Sequence, residues 1–280
     1  MARSNKIKDF YSIQTPQGKI HFPTSEVYSS IDMSGGFDSW VCFYLFLYSL
    51  NENGNFDHHV WPVHVVKINN SLKKKKYDRK DTTELIHYIV NYCRKKFPLL
   101  KNIHDPLISY VDFWWTQYPM YEPGKNKTKW NYTYSTNLRQ LSYFVQQNFF
   151  EDIKHNINKF VNPERIYVNV NSNNLTPDSN GKLLGNNNED LVRWRRNADD
   201  NTVTNDSLSI FTVRHAMPFR NANKALIYWL ANKYGILEDV DKYAWSCESN
   251  ALGNDNFTKP CNSCWQCKER NWGRENYKNL

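Results

Sequence analysis

Ser34-Gly35-Gly36-Phe37-Asp38-Ser39 is the stretch whose reading decides the fold of this chain. Before it, residues 27–33 have the composition of a short strand leading into a turn. After it, Trp40-Val41-Cys42-Phe43-Tyr44-Leu45-Phe46-Leu47 is apolar nearly all round, as a buried helix is. Two adjacent glycines let the backbone turn sharply and approach a ligand closely. Ser39 then falls near the helix start, where unpaired amides and the helix dipole favour an anion. No Gly-Lys-Ser/Thr follows at Walker spacing, so that loop is excluded. The bland alternative is an ordinary Gly-Gly turn with Asp38 and Ser39 capping the helix.

Strand and helix signals recur on either side. Residues 1–25 read as a strand or loop cover with Gly18 at a tight turn. Residues 60–68, rich in valine, read as a second buried strand. Asp81 or Thr82 stands at the cap of a helix whose Leu85, Ile86, Ile89, Val90 and Cys93 have helical spacing, and Pro98 closes it. Residues 105–130 carry Trp114, Trp115, Tyr118 and Tyr121 beside prolines; they read as an irregular substrate-side insertion or as packing over a sheet edge. A helix is expected over 136–150, a third strand over 166–170, a fourth over 210–213 and a helix over 221–234, ending before Gly235. Residues 171–207 are polar and Asn-rich, the mark of a functional lid or a disordered segment. This order predicts an α/β domain with a mainly parallel sheet. Ligands bind such sheets beyond the strand carboxyl ends, where the loop at 34–39 stands.

A chain of 280 residues can bury a substantial core, and 40% hydrophobic with 15% aromatic content excludes a disordered protein. No apolar stretch approaches a membrane span and the N-terminus lacks a signal-peptide core, so the expected compartment is the cytoplasm, with no membrane partner. Net charge is +8, with a run at Lys73-Lys74-Lys75-Lys76 that could steer ATP or a nucleic acid, or could be a solvated loop. Cys42 and Cys93 sit on apolar faces and read as core. The other four cysteines, Cys247, Cys261, Cys264 and Cys267, crowd the C-terminus. The last three form overlapping C-x-x-C units, and thirteen residues separate Cys247 from Cys261. Turns of this spacing can aim four thiolates at one structural Zn²⁺, closed to water. An iron–sulfur cluster or redox thiols are the alternatives.

The glycine loop resembles the SGGxDS pyrophosphate loop (PP-loop) of the N-type ATP pyrophosphatases, which split ATP into AMP and pyrophosphate. Joined to the tail Trp245-Ser246-Cys247 … Cys261-Asn262-Ser263-Cys264-Trp265-Gln266-Cys267-Lys268-Glu269-Arg270, it is similar to the 7-cyano-7-deazaguanine (preQ0) synthases of queuosine biosynthesis. Asn137 and Arg139, and Met217-Pro218-Phe219 … Asn223-Lys224, extend the likeness weakly through the middle. Asn262 stands where the family has glycine, and two of the family's substrate-side stretches have no clear counterpart in 65–76 and 171–196.

The resemblance implies a Rossmann-like, adenine nucleotide alpha hydrolase-like domain over 1–240, with helices on both faces of its sheet, and a zinc-binding segment over 241–280. It implies an ATP-dependent carbon–nitrogen ligase. That enzyme adenylates 7-carboxy-7-deazaguanine, forms an amide with ammonia, then activates and dehydrates the amide to the nitrile. The product would serve queuosine or DNA-base modification. Ser34, Gly35, Gly36, Phe37, Asp38 and Ser39 would hold the pyrophosphate. Asp38 would hold Mg²⁺ or merely cap the helix, and Lys224 would approach a phosphate or face solvent. A homodimer is the commonest soluble assembly. Other readings are an adenylating enzyme acting on a tRNA base, a protein terminus or a different acid, and a non-catalytic nucleotide-binding module stabilised by zinc.

Overall fold

The computed structural model describes residues 10–24, 27–68, 82–112, 165–167, 210–211, 215–219, 222–247, 259–262 and 265–280. The helix expected over 136–150, the polar stretch 171–207, the run Lys73 to Lys76, and Asn137 and Arg139 lie outside the described residues.

Strands β1 (Phe10–Thr15) and β2 (Gly18–Pro23) pair antiparallel. Gly18 opens β2 at φ 136, and the Thr15 hydroxyl donates to its carbonyl at 2.7 Å, closing the turn. Alternation buries Ile13, Ile20 and Phe22, and Phe22 stacks on Phe46.

Strand β3 (Tyr28–Asp32) leads through the glycine loop into helix α1 (Phe37–Glu52). Nearly every side chain of α1 from Phe37 to Leu50 is buried, as the apolar run from Trp40 to Leu47 requires. Strand β4 (His59–Ile68) and helix α2 (Thr83–Lys96) follow. Cys42 and Cys93 lie fully buried in α1 and α2, where burial pushes both thiols up. Next come β5 (Leu107–Asp112), β6 (Arg165–Tyr167), β7 (Ile210–Phe211) and β8 (His215–Met217). Helices α3 (Lys224–Lys233), α4 (Leu237–Tyr243) and α5 (Trp265–Asn276) close the chain, with a 3₁₀ turn at Tyr277–Asn279. No helix among the described residues is long and apolar enough to cross a membrane.

The main sheet has the order β5-β4-β3-β6-β8-β7. All its neighbours pair parallel except β7, which runs antiparallel on the edge beside β8. The 105–130 segment opens with a parallel strand, β5, that the sequence reading does not anticipate, while Trp114, Trp115, Tyr118 and Tyr121 lie outside the described residues. The strand expected over 210–213 is present as β7, paired antiparallel with β8. The chain runs from β3 outward to β4 and β5 on one side, then returns to place β6 on the other. Order therefore reverses at β3, and its carboxyl end is the switch point where such sheets bind ligands.

At the opposite strand ends, Trp61 stacks flat on His104 at 4.3 Å, and His59 Nδ1 lies 2.9 Å from His104 Nε2. Burial, then the charges of His59 and Arg94, push His104 down to about 4 against an opposing Asp105; burial likewise lowers His59 against Asp57. The unfolded chain protonates His104 near 6.5 and the folded chain near 4, so between those values the unfolded state binds more protons. Stability should therefore fall as pH drops through that window and stop falling, on this account, below it. We expect thermal denaturation to show this slope, and His104→Phe, which keeps the stack but cannot protonate, to reduce it.

Candidate active site

The loop between β3 and α1 is shaped by steric necessity. Gly35 has φ +74, and a Cβ there would lie 2.9 Å from Thr82 Cβ. A Cβ on Gly36 would press on Ser34 Oγ at 3.2 Å and Ser246 Oγ at 3.3 Å. Ser34 Oγ accepts from the Gly36 amide at 3.3 Å and donates to Ser39 Oγ at 3.2 Å, while Ser39 Oγ donates to Gly36 O at 3.0 Å. Gly36 stands at the N-cap of α1 with no capping side chain. Helical geometry leaves the Asp38 and Ser39 amides without intrahelical acceptors.

Thr82 precedes α2, as expected of a cap, yet its hydroxyl goes elsewhere. Its Oγ1 lies 3.2 Å from Ser34 O and 3.3 Å from His64 Nε2, and His64 Nδ1 donates to Met33 O at 2.7 Å. The strand end, the loop and α2 are thus tied by two side chains whose part could not be read from the sequence pattern.

The C-terminal segment closes on the same loop. The Trp245 amide donates to Gly35 O at 2.8 Å, and the Phe37 amide donates to Ser246 Oγ at 3.2 Å. Cys247 follows directly. Its sulfur and those of Cys261 and Cys267 lie within 4.8 Å of one another, with Cys261 and Cys267 Sγ 4.0 Å apart. The Cys261 amide donates to Cys247 Sγ at 3.3 Å. Bonds of about 2.3 Å to one Zn²⁺ would space tetrahedral thiolates roughly 3.8 Å apart, so this donor set fits a single ion. An iron–sulfur cubane spreads its thiolates wider, because each binds a different iron. Cys264 lies outside the described residues. Asn262 has φ +56, the left-handed conformation that glycine and asparagine tolerate best, which is why asparagine can serve there.

Lys224 and Asp38, expected as separate site residues, meet. The Lys224 ammonium donates to both Asp38 oxygens, at 2.5 and 2.6 Å, and lies 3.6 Å from Glu269 Oε2. Its side chain is only 3% exposed, and that of Glu269 9%, so neither faces solvent. Both Asp38 oxygens thus accept from the ammonium, and each keeps a further lone pair that a cation could use. Asn223 caps α3 by accepting from the Leu226 amide at 2.9 Å, which fixes Lys224 at the helix start.

Helix α5 was not anticipated; its run of charges disguises it. Arg270 is buried and reaches Tyr228 Oη at 3.3 Å, Ala244 O at 2.8 Å, and both the carbonyl and carboxylate of Asp241. Burial alone would raise the Asp241 carboxyl, but hydrogen bonds from Arg274 and Tyr228 and the guanidinium charges hold it below the ordinary range. Tyr228 in turn stacks on Phe37 of the loop at 4.1 Å. Glu269 and Gly273 lie one helical turn apart, and they share the face that covers Lys224.

No family model matches the chain, and no curated protein matches it. Among solved structures it is similar to the U34-tRNA thiolase NcsA from Methanococcus maripaludis with its [4Fe-4S] cluster, at TM-score 0.35 and 10% identity over 92% of this chain and 69% of that one. It is also similar to the NH3-dependent NAD synthetase from Campylobacter jejuni in complex with the nitrate ion, at TM-score 0.33 and 12% identity over 91% and 85%. The α/β fold itself follows from strand order and loop geometry rather than from these scores.

Gly273 gives a test with opposite signs. Helix propensity alone would make Gly273→Ala stabilising by about 1 kcal/mol. Its Cβ, however, would overlap Lys224 Cγ and lie 2.9 Å from Tyr228 Cδ2. Overpacking of this kind costs about 1–3 kcal/mol, so we expect a net lower denaturation midpoint.

Proposed function

We propose that this chain is an ATP-dependent adenylating enzyme that makes a nitrile from 7-carboxy-7-deazaguanine and ammonia. The observation that carries the reading is the glycine loop at the sheet's switch point, bordered by a C-terminal cysteine centre that hydrogen-bonds onto it. The PP-loop resemblance and the tail motif supply the substrate class.

In this reading the amides of Gly35, Gly36, Asp38 and Ser39, with the hydroxyls of Ser34 and Ser39, cradle the departing pyrophosphate. The substrate carboxylate attacks the α-phosphorus, the bond to the β-phosphate oxygen breaks, and an acyl adenylate forms. Ammonia then attacks the acyl carbon, loses a proton, and AMP leaves with its electron pair to give the amide. A second adenylation on the amide oxygen lets AMP depart again while nitrogen loses its protons, leaving the nitrile. Carboxylates are poor electrophiles, so AMP serves as the leaving group. Lys224 supplies positive charge beside the phosphates, and Asp38 aims it.

Cys247, Cys261, Cys264 and Cys267 would hold Zn²⁺. A four-thiolate site leaves no position open for water, so the ion stabilises the tail and takes no part in the chemistry.

Mass spectrometry of a reaction with Mg-ATP, ammonium and 7-carboxy-7-deazaguanine should show the amide or nitrile together with AMP. ADP as the product, or no deazaguanine product from metal-replete protein, would contradict the assignment. Asp38→Ala should lower kcat/KM by about a hundredfold or more, since Lys224 loses the group that aims it. Elemental analysis should find about one zinc per chain, reduced by Cys264→Ser; iron in its place would overturn the zinc assignment.

A further inference from the structure

The cysteine centre reaches the glycine loop through two short arms, one directly and one by way of Lys224, and neither arm is needed merely to hold a metal. The first is Trp245-Ser246, adjoining Cys247. Its tryptophan amide donates to Gly35 O at 2.8 Å, and its serine hydroxyl accepts from the first amide of α1 at 3.2 Å. The second is Glu269, two residues beyond Cys267 on α5. It lies 3.6 Å from the ammonium whose other partner is Asp38, in the first turn of α1. The first arm ends on the N-terminal turn of α1 and the second on the Lys224 ammonium that holds Asp38 of that turn, and both begin within two residues of a cysteine of the cluster.

We propose that Ser246 and Glu269 are positioning residues that couple the metal centre to phosphate binding at the loop. The inference rests on the reading of the loop as the nucleotide site. With the metal in place, Cys247 and Cys267 are held together, so Ser246 and Glu269 are presented to the loop at once. Ser246 fixes the direction of the Phe37 amide, and Glu269 fixes Lys224 beside Asp38. A ligand that selects this arrangement must, by linkage, tighten the metal centre by the same factor that the metal tightens the ligand. Support of a tail that does not bear on the ligand's site would give no such coupling.

The test follows zinc release from the intact, metal-loaded chain to pyridylazoresorcinol. Release is timed with and without saturating α,β-methylene-ATP, under excess Mg²⁺ so that the nucleotide cannot itself strip the metal. Nucleotide binding is measured separately by calorimetry. In the unaltered protein we expect the nucleotide to slow release by about tenfold. In Ser246→Ala, and separately in Glu269→Gln, metal content should stay unchanged while this protection falls below about twofold. Measured binding with no effect on release would overturn the coupling and leave the nucleotide site standing. Full protection retained in both variants would overturn the assigned roles of Ser246 and Glu269. If calorimetry finds no nucleotide binding at all, the reading of the loop falls and the coupling falls with it.

Discussion

A lysine ammonium removed from water must be paired, because an uncompensated buried charge destabilises a fold by several kcal/mol. Lys224 is such a group, and its position makes the demand stronger: it is the first residue of α3, where the helix dipole repels a cation. Asp38 and Glu269 answer it from two other helices. Asp38 occupies the first turn of α1, where a carboxylate is favoured by the dipole, and Glu269 comes from α5. Three helices therefore converge on one ammonium, next to the loop that ends β3. Gly273 lets α5 lie close enough on the lysine stem for this to happen.

The same constraint explains why two distant sequence motifs form one structure. The glycine loop and the cysteine tail are about two hundred residues apart, yet Trp245 and Ser246 use the loop's own backbone groups as partners. Below that contact, Arg270 gathers the end of α4 and the side chain of Tyr228, which stacks on Phe37. The tail thus walls one side of the loop.

What could be read from the sequence was what is encoded locally. Gly35 and Gly36 announce a turn that only glycine fits, and the apolar run from Trp40 announces a buried helix. Three cysteines of the tail lie together as their spacing suggests. Strand β5 was hidden because Leu107–Asp112 opens a stretch dominated by aromatic residues and prolines, and its parallel pairing to β4 is a non-local fact. Helix α5 was hidden because Lys268, Glu269 and Arg270 look like a solvated face, although Glu269 and Arg270 are buried. Thr82 stands at the N-cap of α2 as expected, but its hydroxyl braces the loop instead of capping, because His64 stands beside it in the neighbouring strand. Asn262 looked like a departure from the glycine of the motif it resembles, and its left-handed backbone is one that asparagine, like glycine, adopts.

The central claim is that the turn from Ser34 to Ser39 is a phosphate-binding cradle. The most direct measurement is amide chemical-shift mapping of the intact protein as magnesium pyrophosphate is added. The account predicts that the largest shifts fall on the amides of Gly35, Gly36, Asp38 and Ser39, with the Phe37 amide moving as its bond to Ser246 adjusts. Saturable binding that leaves those amides unmoved, with the shifts clustered elsewhere, would contradict it.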